Sequence, residues 1–524
     1  MRVLITDSVS EKGVKILQEA GIEVDQKVGI SEDEIVSIID GYDAFIVRSQ
    51  TKVTRKIIEA ASSLKVIGRA GVGVDNIDVQ AATEKGIIVV NAPEGNTIAA
   101  TEQTLALMLA LARHIPQAHM SLAQGKWDRK TYMGVELRNK VLGVLGLGKI
   151  GSGVARRAQA FEMKVLAYDP FVTQEKAQSM GVEMADLDRI FKEADFITVH
   201  LPLNNETRNI INAKAMAKMK PSVRLINVAR GGIINEKDLY DALQAGTIAG
   251  AAIDVWEKEP DTESPLQQLG NVVIAPHLGA STKEAQINVA IDVAEEIVTY
   301  AKGGAIKNAV NAPSLNPEVQ EILGPFQGLC EKMGSLLSQA TSGNCEGIDI
   351  TYTGDIADYD VGFLTKAILL GMLRTTLNSA VNEINAAYIA ETRGIKINET
   401  KARNKVDYRN LITVTIKTTA EELSVSGTIF SGEAKIIKYD GYTIDAVPEG
   451  HLLIVPHIDK PGIVGPVATA IGDNNINIAG MQVGRKSLGG EAVMVLRVDG
   501  RVPGDILDKI AQVDGISGVK YVHL

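Results

Sequence analysis

The sequence predicts an α/β chain: two doubly wound parallel sheets, then an α+β region, then a small βαββαβ unit. Three observations carry that reading. Short apolar runs alternate with amphipathic stretches from the first residues to about residue 300, the pattern of a parallel sheet covered by helices. Gly146, Gly148 and Gly151 lie between an apolar run and a helical pattern, as the first turn of a Rossmann sheet requires. The closing stretch orders its runs as strand, helix, strand, strand, helix, strand, which is ferredoxin-like.

Taken in order, strands are expected at Val3–Ile5, Ala44–Val47, Val66–Gly68 and Ile87–Val90, with helical patterns such as Glu11–Glu19 and Ser31–Ile39 between them. A helix over Ile98–His114 follows, with Thr97 available as its N-cap. A second series is expected at Val141–Leu145, Lys164–Ala167, Phe196–His200, Arg224–Val228, Ala249–Asp254 and Val272–Ile274. The long helix Lys283–Lys302 then crosses back to the first unit. Asn311–Pro317, NAPSLNP, reads as a linker. Beyond it, helices are expected over Gly328–Thr341 and Leu364–Thr392, and strands at Leu411–Lys417 and Ser424–Ile429. Asp445–His451 reads as a second boundary. The last unit takes strands Leu452–Val455, Ile476–Val483, Glu491–Val498 and Val519–His523, with helices Ile463–Gly472 and Val502–Val513. Four domains result. The first, flavodoxin-like, is discontinuous (1–97 and 283–313); a Rossmann domain (98–282), an intervening domain (318–447) and a terminal domain (450–524) follow.

Composition excludes several classes. At 524 residues the chain is too long for one core. With 45% hydrophobic and 23% charged residues it is not disordered. Lys and Arg number 54 against 64 Asp and Glu, a net charge of −10, and no long basic run suggests nucleic acid or an anionic membrane. No apolar run is long enough for a membrane span, and the start lacks the features of a signal peptide. Cys330 and Cys345 read as thiols of a reducing cytoplasm. Seven scattered histidines, with no His-Glu-x-x-His and no Cys-x-x-Cys, predict no metal site.

The glycine cluster has a physical reading. One glycine makes the turn, one lets the backbone approach a pyrophosphate, and one packs helix on strand. The helix N-terminus supplies N–H groups and partial positive charge. Asp169 stands where an acid accepts ribose hydroxyls, and Pro170 and Phe171 offer no cation to a 2′-phosphate, so NAD is favoured over NADP. As a turn residue before proline, Asp169 also fits a purely local role. Arg230 follows a strand and its planar fork suits a carboxylate, although a lone arginine also fits a surface position. His277 follows another strand and is the natural general base near neutral pH, and equally fits a structural histidine. Glu259 is 18 residues earlier, so only the fold could join the two. Arg48 and Arg69 end strands of the first unit, and the Gly71–Gly73 loop can offer N–H groups to an anion.

Together IGRAGVGVDNID (67–78), GLGKIG, NVARGG and HLGAST resemble the D-2-hydroxyacid dehydrogenase family. The resemblance covers nearly the whole chain and is similar to the family's long-form members. It implies NAD-dependent oxidation of 3-phospho-D-glycerate to 3-phosphooxypyruvate, the first step of L-serine biosynthesis, and a side reduction of 2-oxoglutarate. It implies that Arg230 binds the substrate carboxylate, His277 accepts the proton and Glu259 supports it. Cofactor contacts would fall on Gly146, Gly148, Lys149, Ile150, Gly151, Asp169, Val228, Ala229, Asp254, Gly279 and Ala280; substrate contacts on Arg48, Arg69, Gly71 and Arg230. Arg129 and Lys130 resemble a basic pair that reaches a neighbouring subunit's site, so a homo-oligomer, dimer or tetramer, is implied. Leu201 and Val72 replace small hydroxyl residues of some relatives.

The closing unit resembles an ACT domain, and 318–447 resembles the family's allosteric substrate-binding domain. L-serine as effector would meet His457, Asp459 and Asn477, and Asp459 departs from an asparagine in regulated relatives. The alternatives are another dehydrogenase of the family, for glyoxylate or hydroxypyruvate, and a non-catalytic NAD-sensing interaction protein.

Overall fold

A computed structural model describes every residue except 305, 313–316, 378–380 and 404–407. The first parallel sheet holds β1 (Arg2–Ile5), β2 (Glu23–Gln26), β3 (Ala44–Val47), β4 (Val66–Arg69) and β5 (Ile88–Asn91) in the order β2-β1-β3-β4-β5. That is the flavodoxin-like winding. The edge strand β2, EVDQ, is only partly covered, so it lacks the apolar run that marks its neighbours. Helix Lys283–Ala301 returns to this sheet, burying Val289, Val293 and Ile297 among Val3, Ile5 and Ile46. Gly13 allows the contact: a Cβ there would lie 2.6 Å from the Ala290 carbonyl oxygen.

The second parallel sheet comprises β6 (Val141–Leu145), β7 (Lys164–Tyr168), β8 (Glu183–Met184), β9 (Phe196–Val199), β10 (Arg224–Asn227), β11 (Gly250–Ile253) and β12 (Val272–Ile274). Its order is β12-β11-β10-β9-β6-β7-β8. The reversal beside β6 is the switch point at which Rossmann sheets bind dinucleotides. Helix Thr97–Arg113 leans on this sheet, with Met108 and Leu111 in its core. Asn96, not Thr97, is its N-cap residue, and it makes no side-chain cap.

The third sheet is mixed: β13 (Cys345–Gly354), β14 (Lys396–Ala402), β15 (Asn410–Thr418), β16 (Glu422–Phe430), β17 (Glu433–Tyr439) and β18 (Tyr442–Ala446), ordered β14-β13-β15-β16-β17-β18. Only β13 and β14 pair in parallel. Helices Pro317–Ala340 and Gly362–Leu377 cover it. The expected helix Leu364–Thr392 is two helices, the second being Ala386–Thr392. The centre of the expected linker, 313–316, lies outside the described residues.

The last sheet, β19 (His451–Ile458), β20 (Ile478–Arg485), β21 (Glu491–Val498) and β22 (Lys520–His523), has the ferredoxin-like order β20-β21-β19-β22. One face packs on its own helices through Leu453, Val455 and Leu496. The other face adds Leu452, Ile454, Val493, Val495 and Val522 to the core of the intervening domain. No helix among the described residues is long and apolar enough to cross a membrane.

Candidate active site

In a parallel sheet the loops after each strand, and the helix N-termini they lead to, collect at one edge. Here the loops after β4, β6, β9, β10 and β12 open onto one crevice of about 380 Å³. Val72, Gly73, Val74 and Asp75 line it from the first sheet; His200, Leu201, Val228, Ala229, Arg230, His277, Gly279 and Ala280 line it from the second.

His277 and Glu259 meet. His277 Nδ1 lies 2.7 Å from Glu259 Oε2. Because a carboxylate only accepts, Nδ1 carries the proton and Nε2 keeps its lone pair. Glu259 Oε1 accepts the Trp256 N–H at 3.0 Å. Burial pushes the Glu259 carboxyl up, but the hydrogen bonds from His277 and Trp256 outweigh it, and the group stays below the usual carboxylate range.

His277 has φ +56°, unusual for a residue with a side chain. Asp254, fully buried, holds it there. Its carbonyl accepts the His277 N–H at 2.8 Å, and its carboxylate accepts those of Leu278 and Gly279, each at 2.8 Å. Asp254 is thus engaged by the loop that carries the histidine.

Arg230 reaches across the crevice. Its Nε donates to Asp75 Oδ2 at 3.1 Å, joining the two sheets. Gly73 makes room, since a Cβ there would stand 1.8 Å from Arg230 Nη2. Arg69 is largely buried, and burial, then the charge of Arg230, pushes its guanidinium down to about 10; Arg48 adds to that repulsion. Its Nε is buried and meets no hydrogen-bond partner among the described residues. Three cations held together with an unsatisfied donor make a site for a dianion. Gly71, at φ +156°, is needed because a Cβ would strike Arg69 Nη1. Its N–H is engaged by the Arg69 carbonyl at 2.8 Å, so its contribution is the missing side chain.

The glycine turn fits a dinucleotide. A Cβ on Gly146 would lie 2.5 Å from the His200 carbonyl oxygen, and one on Gly151 1.9 Å from the Gly146 oxygen, while Gly148 faces open space. Helix Lys149–Ala160 begins at Gly148 with no side-chain cap, leaving its first N–H groups for phosphate. Asp169 accepts the Leu147 and Phe171 N–H groups, each at 2.8 Å, one per oxygen. Each oxygen keeps a lone pair for a ribose hydroxyl. Ile150 lines the crevice beside Gly279 and Ala280, and Lys149 pairs with Glu94 at 2.5 Å.

Asp75 and Asn96 went unnoticed in the sequence. The Asn96 Oδ1 is buried without a partner among the described residues, and the residue lines the crevice. Neither has a motif, since what matters is a partner far away in the chain. Arg129 and Lys130 are exposed and do not line the crevice.

In the terminal domain, buried His457 places Nδ1 3.0 Å from the Val455 carbonyl. Asp459 Oδ2 accepts from Arg485 at 3.2 Å and from the Gly489 N–H at 3.3 Å. Asn477 Nδ2 donates to Asp499 at 2.8 Å.

Comparison with known proteins places the chain in a family. Residues 105–279 match the family model of the D-isomer specific 2-hydroxyacid dehydrogenase NAD binding domain. Residues 322–440 match the D-3-phosphoglycerate dehydrogenase intervening domain, and 451–515 the ACT domain. The D-3-phosphoglycerate dehydrogenase of Archaeoglobus fulgidus is 46% identical, covering 100% of both chains; that of Synechocystis sp. is 48% identical over 100% of this chain and 95% of its own. Among solved structures, D-lactate dehydrogenase from Aquifex aeolicus, complexed with NAD and lactic acid, aligns with a TM-score of 0.53 at 29% identity, covering 60% of this chain and 100% of that one. The chain belongs to the D-isomer specific 2-hydroxyacid dehydrogenase family, in the branch that joins the D-3-phosphoglycerate dehydrogenase intervening domain and an ACT domain to the dehydrogenase core.

Proposed function

We propose that this chain oxidises 3-phospho-D-glycerate to 3-phosphooxypyruvate with NAD, the first step of L-serine biosynthesis. The observation that carries the reading is that His277, paired with Glu259, shares one crevice with Arg230, whose charge, with that of Arg48, also bears on Arg69 of the first sheet. Bound NAD supplies the hydride acceptor. His277 Nε2 accepts the C2 hydroxyl proton as the C2 hydrogen leaves with its electron pair, forming the carbonyl. Glu259 stabilises the resulting imidazolium and keeps the ring in its tautomer. Arg230 turns from Asp75 to the substrate carboxylate. Arg48 and Arg69 hold the phosphate, which supplies the partner that Arg69 Nε lacks. A second carboxylate could take the phosphate's place, which supports reduction of 2-oxoglutarate as a side activity.

L-serine is the effector we assign to the terminal domain, at His457, Asp459 and Asn477. Met120, Trp127 and Met133, large apolar side chains left to water in one stretch of the chain, support a homo-oligomer, dimer or tetramer. The two free cysteines fit a reducing, cytoplasmic setting.

The test is NADH formation with 3-phosphoglycerate, set against D-lactate and D-glycerate, in the parent and in His277→Asn. Turnover of 3-phosphoglycerate preferred by at least about a hundredfold, as several charge-assisted hydrogen bonds to the phosphate imply, supports the reading. NADH binding without turnover of any of the three would overturn it.

A further inference from the structure

We infer that Glu236 is a positioning residue that sets the Trp256–Glu259 loop against Arg230, so that Glu259 meets His277. The inference rests on the proposed dehydrogenation and deepens it. Glu236 opens helix Glu236–Gln244, directly after its N-cap Asn235. Its Oε1 accepts the Glu257 N–H at 2.6 Å. The neighbouring Trp256 N–H goes to Glu259 Oε1 at 3.0 Å, and the other oxygen of Glu259 faces His277 at 2.7 Å. Two consecutive N–H groups are therefore held by two carboxylates, one of them outside the loop.

That outside carboxylate belongs to the segment that carries Arg230. Five residues before Glu236, Gly231 packs so closely that a Cβ would lie 2.0 Å from the Trp256 carbonyl oxygen. The two loops thus touch at Gly231 and are tied at Glu236, which sets Arg230 in the crevice and Glu259 behind His277, which lines the same crevice. Trp256 Nε1, bonded to the Ala275 carbonyl at 3.2 Å, links the same loop to the segment before His277. Glu236 has an unfavourable charge environment: burial pushes its carboxyl up, the hydrogen bond from the Glu257 N–H offsets part of that, and the charges of Glu257, Asp261 and Glu259 push it up further. A group held there despite repulsion acts through its reach, not its charge.

Two conservative variants separate reach from charge. Glu236→Gln keeps the acceptor at the same length and removes the charge. Glu236→Asp keeps the charge and the favourable place at a helix N-terminus, but draws the oxygen back by about one C–C bond, roughly 1.5 Å. In the full chain, kcat with 3-phosphoglycerate should stay within about threefold of parent for Glu236→Gln. It should fall by about tenfold or more for Glu236→Asp, because misplacing a catalytic group by about 1 Å carries a penalty of that order. NADH affinity, read by fluorescence titration, should be unchanged in both. Placed on Glu259→Ala, Glu236→Asp should add no further loss, since the group it positions is gone.

The proposal is overturned if Glu236→Asp turns over like the parent, if Glu236→Gln is the more damaged of the two, or if the losses add on Glu259→Ala. It is likewise overturned if Glu236→Asp weakens NADH binding as much as it lowers kcat, which would mark general misfolding. Parent activity on 3-phosphoglycerate is read in the same series, so failure of the underlying reaction shows there and not in the ratio of variants.

Discussion

Arg69 shows at residue scale how function sets stability. A largely buried guanidinium with an unsatisfied Nε weakens the ligand-free fold, and an anion relieves it. Arg69→Met is expected to raise the melting temperature by about 2–4 °C, equivalent to roughly 1 kcal/mol in a domain of this size, while raising KM for 3-phosphoglycerate by about a hundredfold. A melting temperature that drops, with KM unmoved, would assign Arg69 to the scaffold. His277→Asn removes the base and should lower kcat by about 10²–10⁴, with NADH affinity retained. Glu259 makes a pH prediction. Its folded carboxyl lies below the usual range, so it contributes stability above its unfolded pKa of about 4.3 and loses that contribution as pH falls through the lower folded value. Below about pH 4.3 the parent's melting temperature should therefore fall more steeply than that of Glu259→Gln; parallel curves would remove Glu259 from the account. The types of these residues, and the positions of Arg69 and His277 after strands, were legible in the sequence. Asp75, Asn96 and Glu236 were not, because each matters through a partner that only folding supplies.

At the scale of elements, the glycine turn separates cofactor from scaffold. Gly148 faces open space, whereas a side chain on Gly151 would collide with the Gly146 carbonyl. Gly148→Val should therefore fold with a melting temperature near the parent's and bind NADH at least about tenfold more weakly, by blocking backbone approach. Gly151→Val should fail to accumulate as folded protein, since its Cβ would strike a backbone carbonyl that cannot swing aside. Equal behaviour of the two variants in expression and NADH titration would contradict that division. Strands with continuous apolar runs, such as Ala44–Val47 and Val141–Leu145, were legible because they are buried on both faces. Edge strands β2 and β14 were not, being polar and partly exposed; their pairing with a neighbour makes them strands.

At the scale of the molecule, the cores divide unevenly. The four clusters of the two parallel-sheet units contain no residue after Ile306. The terminal domain, in contrast, completes the intervening core with Leu452, Ile454, Val493, Val495 and Val522. Gln339 and His523 bond each other in both directions across that seam, at 2.8 and 3.0 Å. Ending the chain at residue 449 should therefore be more damaging than ending it at 312: the first exposes an apolar face and aggregates, while the second stays soluble. Light scattering and circular dichroism of both truncations check this, and the reverse ranking would refute it. For the same reason the serine proposal is better tested by Asn477→Ala in the full chain. Inhibition by millimolar serine that survives this change would place the effector elsewhere.

The sequence alone determined the fold class, the dinucleotide turn and the residue types of the chemistry, because periodicity, glycine spacing and strand ends are local properties of the chain. Tertiary structure decided the rest. It placed Glu259 2.7 Å from His277, set Asp75 against Arg230 across two sheets, and gave the terminal domain a structural share in its neighbour's core. Those are relations between distant residues, and only packing, which fixes distance and desolvation together, creates them.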